Sequence, residues 1–180
     1  MTQPVSDDIL PHDLARLAVE TYIAEGVTTA PPRVPQGVLA ECAGAFVTIR
    51  ESEGRLRGCI GTTQSTCPSV AEEVIQNAIS AATRDPRFPP VESRELPFLT
   101  YGVDVLSAPE PARGVEDLDP LLFGVIIETM DGRRRGLLLP GIAGIDTALD
   151  QWQAVHDKAG IKPGTPVLVQ RFTVRRFGKE

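Results

Sequence analysis

Apolar residues recur at helical spacing near the start of the chain. Between residues 10 and 23, leucines, alanines and an isoleucine fall three or four positions apart. Pro11 is suited to the first turn of a helix, and Gly26 is suited to its end. The pattern predicts a helix over about residues 11–25. Residues 1–9 are expected to form a loose N-terminal tail.

Two further segments carry the same periodicity. One predicts a helix over about residues 69–83, which opens with capping-box spacing at Ser69. Asp85-Pro86 ends this helix, because a residue before proline avoids the α region. The other segment predicts a helix that Asp146 caps and Gly160 ends.

Alternating or continuous apolar runs predict strands between these helices. The predicted strands cover 45–50, 55–61, 99–105, 125–130, 133–139 and, last in the chain, 167–177. Residues 51–54 form a plausible hairpin turn, and Asp131-Gly132 is a strong hairpin signal. Hairpins between single helices favour an α+β fold, with an antiparallel-rich sheet and flanking helices, over a doubly wound sheet.

Composition narrows the class of protein. The chain has 180 residues, 42% of them hydrophobic, which fits one soluble domain with a real core. Its net charge of −6 and its 5% aromatic content argue against nucleic-acid binding. No apolar run is long enough for a membrane span, and no secretory signal is present, so a cytoplasmic location is expected. Three unevenly spaced cysteines do not indicate a disulfide framework.

The hexapeptide LRGCIG places a thiol between two glycines at the end of a predicted strand. Arg57 and Cys59 are two residues apart and therefore share a strand face, where a guanidinium favours the thiolate. Gly58 and Gly61 allow a ligand or another backbone to come close. Cys59 is thus a candidate nucleophile. The alternative is a buried structural cysteine, since free cysteine is among the most buried residue types.

The string DPRFPP after the second helix is another candidate. The prolines of this string stiffen the loop, so it could present Arg87 toward Cys59, with Asp85 orienting an arginine. The alternative is a helix stop followed by a Phe88 plug in the core, with Arg87 bound to loop carbonyls. The N-terminus of the helix at 69–83 is expected near Cys59, where its partial positive charge, with Arg57 and Arg87, would attract a small anion.

Other chemistry-bearing residues carry less weight. His156 could act as a base for Cys59, but a surface or half-buried helix histidine is the better interpretation. The arginines at 133–135 follow a hairpin turn, and a solvated edge is the better interpretation there. No P-loop, GxGxxG, HExxH or CxxxCxxC motif is present, so no cofactor and no metal site are expected.

Several segments together resemble the AMMECR family, named after the Alport syndrome, midface hypoplasia and elliptocytosis chromosomal region. The matching segments, in order, are LRGCIGT at 56–62, DPRFPP at 85–90, ELP at 95–97, LP at 139–140, KAG at 158–160 and a closing strand around 172–177. The resemblance implies a single domain over 1–180, with a larger and a smaller lobe and a cleft between them. The chain is expected to cross between lobes near 86–97 and 109–120.

The resemblance implies partner proteins more than it implies a particular reaction. Prokaryotic members look like the A component of the AmmeMemoRadiSam system, beside a Memo-like protein and a radical S-adenosylmethionine enzyme. The family often has an aromatic residue after LRGCIGT, where this chain has Thr63. The preferred hypothesis is an accessory component that binds a ligand or partner through Arg57, Gly58, Gly61, Arg87 and Phe88. The alternative is an enzyme that uses Cys59 on a small anionic substrate. Nucleic-acid binding is a third and weaker idea.

Overall fold

The computed structural model describes residues 5–162 and 164–178, and it divides the chain into two compact units. The first unit runs to Leu106 and resumes at Arg175, and the second comprises Ser107–Val174. The segments 86–97 and 109–120, where crossings between lobes were expected, lie inside the first and the second unit, respectively.

Three helices and eight strands make up the described chain. In order they are α1 (Pro11–Glu25), β1 (Ala45–Glu51), β2 (Leu56–Gly61), α2 (Val70–Thr83), β3 (Leu99–Leu106), β4 (Glu110–Ala112), β5 (Gly124–Thr129), β6 (Arg135–Leu138), α3 (Ala148–Ala159), β7 (Val167–Phe172) and β8 (Val174–Gly178). Short 3-10 helices cover Gly37–Ala40, Leu96–Phe98 and Val115–Asp117. The predicted α+β fold is confirmed.

The first unit packs α1 and α2 against a four-stranded sheet of order β2-β1-β3-β8. β1 pairs antiparallel with both β2 and β3. Burial alternates along β1 and β3, as the sequence pattern predicts for strands with one face on a core. The order of the strands leaves β2, which carries the cysteine motif, at one edge of the sheet.

The predicted helix boundaries hold to within about two residues. α1 has Pro11 in its first turn and ends at Gly26, whose φ of 71° is the left-handed conformation that glycine adopts readily. α2 is capped by Ser69, whose side chain accepts the N–H of Glu72. The prediction of Asp146 as the cap of α3 is wrong, because Thr147 caps this helix and forms a reciprocal capping box with an aspartate three residues on.

The predicted N-terminal tail is partly docked. Residues 1–4 lie outside the described part of the chain. Val5 and Ile9 pack against the core of the first unit, and the Asp7 carboxylate accepts the backbone N–H of Val34. Residues 5–9 are therefore held in place rather than loose, because two apolar side chains there gain a buried contact.

The second unit packs α3 against a sheet of order β4-β7-β5-β6. β5 and β6 form the hairpin that Asp131-Gly132 predicts, with Gly132 at a φ of 68°. The single last strand predicted over 167–177 is in fact two strands, since β7 belongs to the second sheet and β8 to the first. Among the described residues, no helix has both the length and the apolar character needed to cross a membrane.

Candidate functional site

The cysteine motif lies on β2, whose two faces have different neighbours. On one face Gly58 packs against α2 so closely that a Cβ atom would stand 2.2 Å from the carbonyl oxygen of Ala81. No real Cβ contact is that short, so only glycine fits here without a backbone shift. Gly58 is therefore a packing residue. Gly61 plays a similar part, because a Cβ there would meet the ring of Phe46 at 2.2 Å.

Cys59 lies on the opposite face of β2 and is half-buried. Its thiol receives a hydrogen bond from the Thr48 hydroxyl, with the oxygen 3.4 Å from Sγ. Because β2 is an edge strand, the Cys59 backbone can be reached by groups outside the sheet. The Asp85 carboxylate accepts the Cys59 N–H at 2.8 Å, and Arg87 donates to the Cys59 carbonyl at 3.3 Å. Two side chains of DPRFPP thus occupy the edge at Cys59.

Asp85 and Arg87 form a tight pair around this contact. The guanidinium of Arg87 donates from Nε to Oδ1 at 2.9 Å and from Nη2 to Oδ2 at 2.7 Å. Asp85 is buried, whereas the Arg87 side chain is 53% exposed. The hydrogen bonds from Arg87 outweigh the effect of burial and hold the pKa of the Asp85 carboxyl well below its usual range. The carboxylate is therefore ionised at neutral pH.

Arg57 is committed to other protein groups. Its side chain is 8% exposed, and it donates from Nε and Nη2 to the two Glu95 carboxylate oxygens at 2.7 and 3.1 Å. A third donor, Nη1, reaches the Pro89 carbonyl at 3.0 Å. The hydrogen bond from Arg57 lowers the pKa of Glu95, so this pair is charged. Arg57 was expected to stabilise the Cys59 thiolate, but its positive charge is matched by Glu95.

Phe88 lies between the two arginines. The guanidinium carbons of Arg57 and Arg87 stand 6.0 and 5.5 Å from its ring centroid. Phe88 is only half-buried, and the flanking Pro86, Pro89 and Pro90 are exposed. The alternative of a Phe88 plug in the core does not hold, because the ring is only half-buried and lies against the two guanidinium groups. We call residues 86–90 the DPRFPP loop surface.

The helix end beside Cys59 is the opposite one from that predicted. Gly58 packs on Ala81 and Cys59 binds Asp85, so the C-terminal end of α2 lies next to the motif. The N-terminal end meets Thr62, at the far end of the motif. The helix dipole therefore brings partial negative charge toward Cys59. Two of the three features expected to attract an anion here, the free charge of Arg57 and a helix N-terminus, are absent from this geometry.

Glu73 in the first turn of α2 is a buried carboxylate that sequence reasoning missed. It accepts hydrogen bonds from the Thr62 hydroxyl and from the backbone N–H groups of Thr66 and Cys67, the latter two at 2.8 and 3.0 Å. Burial alone would raise the pKa of Glu73, but these hydrogen bonds prevail and lower it. The threonine that ends LRGCIGT thus ties the loop after β2 to α2. The available signal was a glutamate among the apolar residues of the predicted helix.

The remaining candidate residues are His156 and the other two cysteines. His156 is buried on α3, where its Nδ1 lies 2.8 Å from the Trp152 carbonyl oxygen and its ring is 4.4 Å from the Trp152 ring. That oxygen can only accept, so Nδ1 carries the proton. Cys42 is exposed, and burial raises the pKa of the buried Cys67. Within residues 5–162 and 164–178, no group of three or more potential ligands is arranged to hold a metal ion.

Comparison with known proteins identifies relatives over almost the full chain. The AMMECR1 family model matches residues 12–180. A protein of Thermotoga maritima is 47% identical over 161 residues, which cover 88% of this chain and 91% of that protein. The Clostridium acetobutylicum protein CA_C1420 is 38% identical over 91% of this chain, yet the match covers only 34% of its own length.

A solved structure supports the same relationship. The crystal structure of the uncharacterized protein PH0010 from Pyrococcus horikoshii is similar to this fold with a TM-score of 0.85 and 32% sequence identity. The similarity covers 94% of this chain and 90% of PH0010. Both the motif strings and the arrangement of elements therefore lead to one conclusion: the chain belongs to the AMMECR1 family.

Proposed function

We propose that the chain is a non-catalytic component that binds a protein partner through the DPRFPP loop surface beside Cys59. One observation carries the proposal. The charged groups of the two motifs are all paired, Asp85 with Arg87 and Arg57 with Glu95. Asp85 also binds the Cys59 N–H, and Arg57 also binds the Pro89 carbonyl, so the loop is fixed to the edge of β2. The pairs leave an outward surface of arginine, phenylalanine and proline.

This composition suits a protein interface. Arginine and aromatic side chains are enriched where binding energy concentrates, and Arg87 and Phe88 stand together on the surface. A loop with three prolines, held by the Asp85–Arg87 pair and by the hydrogen bond from Arg57 to the Pro89 carbonyl, loses little conformational entropy on binding. The groups recorded at the Cys59 thiol among the described residues are the Thr48 hydroxyl and the Arg87 guanidinium, and neither is a general base, which also favours binding over catalysis.

The partners we propose are the two that the resemblance implies, a Memo-like protein and a radical S-adenosylmethionine enzyme. The length of CA_C1420 supports a role within a larger assembly, because this chain matches only 34% of that protein. In this proposal any radical chemistry takes place on the enzyme partner, and this chain supplies a docking surface.

A cysteine-dependent enzyme is the second candidate. The half-buried Cys59 thiol with its Thr48 hydroxyl favours it, and the exposed part of Arg87 could hold the anionic group of a small substrate. Under this alternative the thiol of Cys59 attacks the substrate, so replacing it would abolish activity while leaving partner binding intact.

Co-elution on size exclusion tests the preferred function. The purified chain is mixed with the Memo-like protein or the radical S-adenosylmethionine enzyme from the same genome. We expect co-elution with one of them, and loss of it in the double variant Arg87→Ala/Phe88→Ala. The matched control is Arg94→Ala/Phe98→Ala, which removes the same residue types from exposed positions elsewhere in the first unit. Failure of the wild type to co-elute with either protein, or equal loss in the control, would overturn the proposal.

A further inference from the structure

The second unit contains a cavity whose lining is mainly cationic and polar. It has a volume of about 390 Å³, within the range of small-molecule sites. Its described lining residues are Thr129, Asp131, Arg133, Arg134, Gly160, Ile161, Lys162 and Thr165. The cavity lies where the β5–β6 hairpin turn meets the segment that follows α3.

The charges around this cavity do not cancel. Arg133, Arg134 and Lys162 face one carboxylate, that of Asp131, which leaves a local charge of +2 in a chain of net charge −6. Asp131 accepts hydrogen bonds from the Thr129 hydroxyl at 2.7 Å and from the Arg133 backbone N–H at 3.1 Å. These bonds lower the pKa of Asp131, so its carboxylate is ionised and its negative charge is included in the local charge of +2. The surplus positive charge therefore has no internal match within the lining.

One of the arginines is held in place by the helix end. Arg134 donates from Nη1 to the Gly160 carbonyl, and a Cβ on Gly160 would stand 3.0 Å from the same nitrogen. A guanidinium has five N–H donors in a planar fork, so this contact orients the group without exhausting it. Arg133 is 86% exposed and reaches Asp131 only at 3.5 Å, and Lys162 is also exposed. Because the contact between Arg133 and Asp131 is long, the Arg133 guanidinium is free to turn toward a ligand.

We infer that this cavity binds a small anion with two or more negative charges, of the phosphate or diphosphate class. Two guanidinium forks and one ammonium group match the oxygens of such a ligand, and the hydroxyls of Thr129 and Thr165 add polar contacts. None of the eight described lining residues is aromatic, so the ligand is a compact phosphate compound and not a nucleotide held by base stacking. This site does not depend on the proposed partner surface.

Isothermal titration with inorganic pyrophosphate at low ionic strength tests the inference. The test variant is Arg133→Ala/Lys162→Ala, which removes two exposed cations and spares Arg134, whose loss would disturb the end of α3. The control is Arg16→Ala/Arg113→Ala, which removes the same charge from exposed positions outside the cavity lining. We expect binding to the wild type, at least about tenfold weaker binding to the test variant, and an unchanged control.

Three results would overturn the inference: no binding to the wild type, equal weakening in both double variants, or undiminished binding to the test variant. Equal weakening would mean that pyrophosphate responds only to overall charge. A thermal melt of each variant accompanies the titration. We expect wild-type melting temperatures, because all four substituted side chains are exposed.

Discussion

The Asp85 carboxylate accepts the backbone N–H of Cys59 at 2.8 Å, so a side chain from the loop after α2 occupies the free edge of β2. An unpaired edge would otherwise offer its N–H and C=O groups to another chain. The contact joins LRGCIGT to DPRFPP, and it also sets the position of Arg87 and Phe88. Each motif is thus needed to shape the other.

Replacing Asp85 should release this loop. Asp85→Ala removes the acceptor of the Cys59 N–H and the partner of Arg87, and we expect a loss of about 2–4 kcal/mol in the free energy of unfolding. Urea denaturation measures the loss, and tryptic cleavage after Arg87 should become faster. Asp13→Ala is the control, because it removes an exposed carboxylate paired with Arg16 and should cost less than about 1 kcal/mol. Equal losses of unfolding free energy in the two variants would contradict the role of Asp85 in holding the loop against β2.

Adding one methyl group at Gly58 should destabilise the first unit. The new Cβ would stand 2.2 Å from the Ala81 carbonyl oxygen, so β2 or α2 must shift, and we expect Gly58→Ala to cost about 1–3 kcal/mol or more. The neighbouring Cys59→Ala, at a half-buried position on the other face, should cost less than about 1 kcal/mol. Thermal and urea melts of the two variants decide the point. A larger cost for Cys59→Ala would mean that the cysteine is a core residue.

The Glu73 network should make stability depend on pH. Its pKa is lower in the folded chain than the ordinary value of 4.5, so its contribution is present above that value and is lost as the pH falls through the folded-state pKa. Glu73→Gln should therefore cost about 1.5–3 kcal/mol at pH 7, and the difference from the wild type should shrink below about pH 4. Urea melts across this range test the sign. A difference that grows on acidification would contradict it.

The order of thiol alkylation separates the two candidate functions. If Cys59 is not an activated nucleophile, exposure should govern the rates, with Cys42 fastest, Cys59 slower and Cys67 slowest. Burial raises the pKa of Cys67, which slows it further. Mass spectrometry of the native protein after short exposure to iodoacetamide gives the three rates. Faster labelling of Cys59 than of the more exposed Cys42 would favour the cysteine-dependent enzyme.

Sequence pattern predicted local structure well because local structure is set by neighbours. Pro11, Gly26, Ser69 and the Asp131-Gly132 turn each act within a few residues, and each has its predicted effect. The division of the last strand at Thr173 was missed, since both halves have suitable strand composition and only the sheets they join differ.

The candidate site was harder to predict because its geometry depends on partners far apart in sequence. The sequence placed Arg57 and Arg87 near Cys59, yet it could not show which carboxylate pairs with each arginine. Arg57 finds Glu95, 38 residues later, and the direction in which α2 crosses β2 decides which helix end meets the thiol. Such pairings depend on how the chain folds, so the spacing of residues within a motif cannot predict them.

The measurement that most directly tests the partner-binding surface is the affinity of the complex found by co-elution, compared between Phe88→Ala and Cys59→Ala. The half-buried Phe88 ring lies beside two guanidinium groups, and truncating such an aromatic anchor typically costs about 2 kcal/mol or more, which is roughly a thirtyfold rise in Kd. We expect that rise for Phe88→Ala and a change of less than about threefold for Cys59→Ala. An unchanged Kd for Phe88→Ala together with a large loss for Cys59→Ala would contradict a docking role for the DPRFPP loop surface.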